Sequence, residues 1–305
     1  MVGSAVVRNL KRTGFNELLV RDRKELDLSD QRQVERFFDE TSPEIVILCA
    51  AKVGGIVANR DLPAEFIHQN LCIQNNVISQ AHLAGVKSLL FLGSSCIYPR
   101  DCHQPIKEEY LLTGPFESTN RPYAVAKLSG IELCWAMNRQ YGTRYLSALP
   151  CNIYGPGDKY HPKYSHVIPG MIRRIHDAQK AKSKSVSAWG TGTPRREFLF
   201  SDDVARACIH LLSLPTESTQ IIFNDQLPPI VNISAEEDVS ISELADMISA
   251  VVGFSGSIDW DNTKPNGTPQ KLLSNDLMNM LGWQPMTDLI SGLEFTYEDF
   301  LHRYA

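Results

Sequence analysis

The run Glu44-Ile45-Val46-Ile47-Leu48-Cys49-Ala50-Ala51 is apolar after its first residue and shows no polar–apolar alternation. A strand that is apolar on both faces must be covered on both, as strands are in parallel sheets flanked by helices. The first half of the chain repeats the alternation such a sheet requires. A helix over Ala5–Arg12 precedes a short strand over Glu17–Val20, and a long helix over Phe66–Ala84 precedes a strand over Lys87–Cys96. A helix over Pro122–Tyr141 and a strand over Thr143–Ile153 follow, ending in Tyr154-Gly155-Pro156. This order predicts an α/β fold on a doubly wound parallel sheet.

In its Rossmann-like form, such a sheet opens with an apolar strand that runs into a glycine-rich phosphate loop and a helix. Here Met1-Val2-Gly3-Ser4 passes directly into the helix, so only the last glycine of such a loop, Gly3, is available. The expectation is that about a dozen residues, the first strand and first loop glycines, are missing. A fold that begins with a helix is the alternative. Loss of a normally central strand should expose backbone and apolar side chains on its neighbours.

The second half predicts a helix over Val167–Lys180, a strand over Ser185–Trp189 and a turn at Gly190-Thr191-Gly192-Thr193-Pro194. Ser201 reads as the N-cap of a helix whose Asp202 and Asp203 suit the positive end of its dipole. Ser240 and Glu243 form a capping-box pattern for a helix ending near Gly253. The 305 residues accommodate about two domains at ~100–200 residues each. The expected division is a dinucleotide-binding Rossmann domain over 1–163, shortened at its start, and a smaller substrate-binding domain over 164–305. Segments near 197–234 are expected to return to the first sheet.

A formal charge of −5 disfavours nonspecific nucleic-acid binding. No apolar run reaches the ~18 residues of a membrane span, and no signal peptide is read at the start. Seven cysteines lie scattered without a C-x-x-C pair, which reads as reduced thiols in a cytoplasmic protein.

Tyr123-Ala124-Val125-Ala126-Lys127 places a tyrosine and a lysine on one helix face. Alone, the pair reads as core plus solvated face. Ser94, ending an apolar strand in Gly93-Ser94-Ser95-Cys96, turns that reading toward chemistry. An ammonium beside the phenol would favour its ionised form and lower a pKa that starts near ~10. A tyrosine so tuned exchanges a proton with a carbonyl or alcohol oxygen as hydride moves. Cys96 shares a face with Ser94 if the strand stays extended. Arg21 and Arg23 follow the strand near Leu18 where NAD enzymes often carry an acidic residue, although Asp22 lies between them. Arginine there suits the 2′-phosphate of NADPH.

The Ser94, Tyr123 and Lys127 set resembles that of short-chain dehydrogenases/reductases. Ala51-Lys52-Val53-Gly54-Gly55-Ile56, Gly93-Ser94-Ser95-Cys96-Ile97-Tyr98-Pro99 and Ser165-His166-Val167-Ile168-Pro169 narrow the resemblance to the GDP-L-fucose synthase family. So do Asn152-Ile153-Tyr154-Gly155-Pro156, Arg196-Glu197-Phe198 and Gly267-Thr268-Pro269-Gln270-Lys271, so the likeness covers essentially the whole chain. It implies a homodimer that epimerises C3 and C5 of GDP-4-keto-6-deoxy-D-mannose and reduces C4 with NADPH.

The resemblance casts Cys96 as the epimerisation base and His166 as the acid on the opposite face. Ser94 would bind the C4 oxygen, Tyr123 supply its proton, and Lys127 hold the nicotinamide ribose. For the cofactor it points to Gly3, His166, Arg23, and Asp27 with Leu28 near the adenine. Leu92, Gly93, Ser94 and Ser95, together with Pro150, Cys151, Asn152 and Ile153, would line the nicotinamide side. Arg174, Trp189, Arg196 and Lys271 match substrate positions. Asn266 departs from the family, which often carries Asp there, so an acceptor is kept and a charge lost. Another nucleotide-sugar epimerase or reductase, or an inactive shortened chain, are the alternatives.

Overall fold

The computed structural model describes residues 1–224, 226–263 and 266–304. The chain runs through α1 (Val2–Arg12), α2 (Gln31–Thr41), β1 (Ile45–Leu48), α3 (Ile56–Asp61), α4 (Pro63–Leu83), β2 (Ser88–Leu92), α5 (Arg121–Tyr141), β3 (Arg144–Pro150) and β4 (Asn152–Tyr154). It continues through α6 (Val167–Lys180), β5 (Ser185–Trp189), β6 (Arg195–Phe200), α7 (Ser201–Ser213), β7 (Ile230–Ile233) and β8 (Asp238–Ser240). The remaining elements are α8 (Ile241–Val252), β9 (Ser257–Asp261), β10 (Gln270–Lys271), α9 (Asp276–Met280) and α10 (Leu289–Tyr304).

The main sheet is parallel with order β1-β2-β3-β7. Strands β2, β3 and β7 are covered on both faces: Leu89, Leu90, Leu149, Val231 and Ile233 are fully buried. A second sheet has order β10-β6-β4, with β8 antiparallel to β6, and β5 pairs with β9 in a separate two-stranded ribbon. A second core forms between α6, α8 and α10 around Ile172, Leu244, Ile248 and Leu293.

Two expectations about strands are corrected. Residues 17–20 form no strand among the described residues, and β1 pairs only with β2. A strand needs a ladder partner for its backbone groups, and this segment has none. Leu19, Val20 and Ile45 are each about half exposed. The expected strand over Thr143–Ile153 is really two. Cys151 N donates to Ile233 O at 3.1 Å as the last rung against β7, and Asn152 then takes up register with Phe198 on β6. Cys151 is therefore the corner at which the chain changes sheets.

Of the two expected helix caps, the one on α8 is present and the one on α7 is not. Ser240 and Glu243 form the reciprocal capping box, and α8 ends at Gly253 with φ 79°. Such a left-handed end suits glycine because there is no Cβ to clash. Ser201 is instead the first helical residue of α7, after Phe200 at the cap. Its neighbours take on packing roles. Asp202 accepts from Arg8 at 2.6 Å and Asn9 at 3.0 Å, which pins α1 onto α7. Asp203 accepts from the backbone of Met286 and Thr287.

Candidate active site

The site begins where β2 runs out. Gly93 N donates to Ala148 O at 2.8 Å, one rung past the strand. A Cβ at Gly93 would stand 2.3 Å from Leu149 Cδ2, so this close approach needs glycine. Ser94 then caps a 3-10 turn over Ser95–Ile97, its Oγ accepting from Cys96 N at 3.3 Å. The expected extended strand through Cys96 is thus a turn. Ser94 and Cys96 remain neighbours because the serine hydroxyl competes for the backbone N–H. Pro122 in the first turn of α5 starts that helix without losing a hydrogen bond. This brings Tyr123 to the same place, its phenol within electrostatic reach of Ser94 and Cys96. The Phe66 ring meets Tyr123 edge-on at 6.1 Å.

The electrostatics differ from the expected tuning. Burial pushes the Tyr123 phenol well above its ordinary value, Cys96 pushes the same way, and only Ser94 draws it back. Lys127 does not lower it, because its ammonium is engaged elsewhere. Lys127 Nζ donates to Leu92 O at 2.7 Å and lies over the Phe91 ring at 4.6 Å. Burial brings the Lys127 pKa down to about 8, with Cys49 opposing. Asn120, one residue before α5, donates to Cys96 Sγ at 3.2 Å. Sequence reasoning missed it, since an asparagine just before a helix reads as a turn residue.

His166 sits at the N-cap of α6. Its segment reaches the Cys96 region through a chain of contacts. Gly55 N donates to Tyr164 O at 3.2 Å, and a Cβ at Gly55 would lie 2.5 Å from Ser165 O. Gly55 caps α3, which packs on the 3-10 turn over Ser118–Asn120. The His166 side chain keeps a solvent-reachable face, yet the protein crowding it holds the imidazole below its ordinary pKa, with Asp158 pulling it back up. Asp158 is buried, and its Oδ2 has no hydrogen-bond partner.

The residues expected around a dinucleotide lie in two groups. Gly3 is in the first turn of α1, its ideal Cβ position 3.8 Å from Cys49 Cβ, and Cys49 in turn faces Lys127. Leu92, Gly93 and Ser95 are buried beside Ser94. Pro150 ends β3, Asn152 Nδ2 donates to Glu197 O at 2.8 Å, and Ile153 pairs with Leu199. Arg21 and Arg23 are exposed, with Arg21 over the Phe37 ring at 5.6 Å. The Asp27 carboxylate is held below its usual range by Ser29, and Leu28 O accepts from Asn76 at 3.0 Å. The residues present fit a phosphorylated dinucleotide. Lys127 is a buried cation whose Nζ meets a carbonyl and an aromatic face, and the exposed Arg21 and Arg23 offer positive charge to an anionic group.

The expected substrate residues gather at the second sheet. Arg196 and Lys271 are register partners across β6 and β10. An ideal Cβ on Gly267 would come 3.3 Å from Arg196 Nη2, and burial lowers the Arg196 pKa while Glu117 raises it. Arg174 donates to Gly170 O at 3.1 Å and reaches Ser187 O at 3.5 Å, and Trp189 ends β5 half exposed. Asn266 Oδ1 accepts from Thr191 N at 2.8 Å and Thr191 Oγ1 at 3.2 Å. That oxygen therefore fastens the 190–193 turn. Glu197, unremarked in the sequence between Arg196 and Phe198, is fully buried behind these cations.

The sequence profile of the NAD dependent epimerase/dehydratase family matches residues 1–233. A GDP-L-fucose synthase of Sinorhizobium fredii is 48% identical over 305 residues, which is 100% of this chain and 94% of that protein. A GDP-6-OMe-4-keto-L-xylo-heptose reductase from C. jejuni superposes with a TM-score of 0.91 at 34% identity, covering 99% of this chain and 95% of the other. A GDP-L-fucose synthetase from Naegleria fowleri bound to NADP gives 0.85 at 27% identity, covering 99% and 91%.

Proposed function

The chain belongs to the NAD dependent epimerase/dehydratase family, and from that premise we propose that it works as a GDP-L-fucose synthase. In this reading it epimerises C3 and C5 of GDP-4-keto-6-deoxy-D-mannose and reduces the C4 ketone with NADPH. The observation that carries it is the convergence of Ser94, Cys96 and Tyr123 on one point, with Asn120 on the sulfur. A reductase alone needs Ser94, Tyr123 and Lys127. A thiol with its own hydrogen-bond donor beside them suits an additional proton transfer.

Protons on C3 and C5 are acidic because both carbons flank the C4 carbonyl. Cys96, as thiolate, removes a proton, and His166 returns one from the opposite face. Negative charge then develops on the C4 oxygen, where the Ser94 hydroxyl and Tyr123 phenol can donate to it. The raised pKa of Tyr123 keeps the phenol protonated at neutral pH, as a proton donor to that oxygen must be. NADPH, when bound, supplies the hydride for C4. Lys127 holds the nicotinamide ribose, and Gly3, Arg23, Asp27 and Leu28 take the pyrophosphate, 2′-phosphate and adenine side. Leu92–Ser95 and Pro150–Ile153 form the nicotinamide wall. Arg174, Arg196 and Lys271 neutralise the nucleotide diphosphate, with arginine suited to bidentate contact. Trp189 offers a face for the base or sugar.

The same reading makes residues 1–163 the NADP-binding part and 164–305 the substrate-binding part; of the segments near 197–234 expected to return to the main sheet, β7 does so, whereas β6 lies in the second sheet. No described helix is long and apolar enough to cross a membrane. We take the working form to be a cytoplasmic homodimer that acts on a small molecule and binds no nucleic acid. The test is NADPH oxidation by the purified chain with GDP-4-keto-6-deoxy-D-mannose, the product identified by NMR. Absence of oxidation under saturating NADPH sinks the substrate assignment.

A further inference from the structure

Glu197 is the one acidic residue in β6, and its side chain is fully buried. Its carboxylate is surrounded by donors from two other segments. Oε1 accepts from the Ser234 hydroxyl and from Ala235 N at 2.6 Å, while Oε2 accepts from Leu273 N at 3.0 Å. Its backbone oxygen accepts from Asn152 at 2.8 Å. The residue thus joins β6, the segment after β7, and the strand end carrying Lys271. Lys271 lies two residues before Leu273 and pairs in register with Arg196, the neighbour of Glu197. The β6–β10 pairing covers only Gln270 and Lys271. The segment is also tied to residues 104–106 through Leu272 and Ser274 and to Asp238 through Gln270, and the carboxylate adds the tie that comes from the residue next to Arg196.

We propose that Glu197 is a positioning residue that clamps the Lys271 segment beside Arg196 and thereby sets the affinity for the nucleotide diphosphate. The proposal deepens the functional reading above and rests on it for the identity of the ligand. The ionised form is the one that matches three donors at once. Protonation adds an O–H that only the Ser234 oxygen could accept, and it weakens the remaining bonds. Burial raises the Glu197 pKa to about 7, against the hydrogen bonds from Ser234, Leu273 and Ala235. The charged or titratable groups around it are Cys151 from the β3–β4 corner, Glu236 from the segment after β7, Arg196 on β6 and Lys271 on β10. The clamp should therefore engage above neutral pH and slacken below it.

The test is isothermal titration of the NADPH-loaded protein and its Glu197→Gln variant with GDP-mannose, whose diphosphate has no ionisation near neutrality. Glutamine keeps the volume but turns an N–H toward a backbone N–H. The expected result is a GDP-mannose Kd raised ~10-fold, the loss of about one charge-assisted hydrogen bond, with NADPH affinity unchanged. Wild-type affinity for GDP-mannose should fall as pH drops through about 7, and the variant should be flat there. Equal weakening of both ligands marks a general packing loss and overturns the proposal, as does an unchanged GDP-mannose Kd. If the variant does not fold, the wild-type pH profile decides, and a flat one is fatal. Inorganic pyrophosphate, titrated in parallel, separates the two readings. Wild-type binding to pyrophosphate but not GDP-mannose sinks the nucleotide-sugar assignment, and the clamp then stands or falls on the pyrophosphate Kd of Glu197→Gln against wild type at one fixed pH. Binding of neither probe overturns both.

Discussion

The side-chain amide of Asn120 donates a hydrogen bond to Cys96 Sγ at 3.2 Å. A sulfur with an oriented N–H carries negative charge more easily than one without. Asn120→Ala is therefore expected to slow deuterium uptake from solvent at C3 and C5 by ~10-fold or more, the range for a hydrogen bond to a charged group. NADPH affinity should not change. Deuterium uptake at the wild-type rate would leave Asn120 a purely structural residue.

Cys96→Ser separates the two chemistries of the site. Epimerisation should fall by ~10²–10⁴-fold, the usual contribution of a positioned acid or base. Hydride transfer to an already epimerised 4-keto sugar should persist, since Ser94 and Tyr123 are intact. His166→Gln should block reprotonation and leave the same reduction running. If either variant loses epimerisation and reduction in parallel, the division of labour between these residues is wrong.

What was legible in advance followed the range of the interaction. The Ser240–Glu243 box, Gly253 and the Tyr123–Lys127 spacing depend on residues a few positions apart, and each lies where its pattern implied. The Ser94–Cys96 turn was not read, because extended and 3-10 backbone suit the same residues and only the Ser94 Oγ bond decides. The break at Cys151 depends on which strand edges lie alongside, information held at Ile233 and Phe198. Glu197 between Arg196 and Phe198 looks like surface charge until Leu273 and Ala235 close over it. Lys127 was expected beside the phenol, but the carbonyl of Leu92 is the partner it takes.

Gly93→Ala tests how tightly the strand end is packed. The added methyl would meet Leu149 Cδ2 at 2.3 Å and Ala148 O at 3.3 Å. Overpacking of this kind costs about 1–3 kcal/mol. A urea midpoint lowered accordingly is expected, together with a fall in reduction as Ser94 shifts. A variant as stable as the parent would mean that Leu149 moves aside freely.

Lys127 should set the alkaline limit of reduction. Burial holds its pKa at about 8, so the ammonium is fully present below that value and is lost as pH rises through it. Tyr123 is displaced in the other direction, above its ordinary value, and stays protonated over the same interval. Cys49, which faces Lys127, is pushed up to about 11 and titrates later still. The limb at about 8 therefore belongs to the lysine. With kcat/KM for NADPH followed against pH, the profile should bend downward near 8. Lys127→Arg, whose guanidinium does not deprotonate in this range, should lose the bend even if its overall rate is lower. A bend that survives in Lys127→Arg would assign it to another group and leave Lys127 as a ribose contact whose charge is not required.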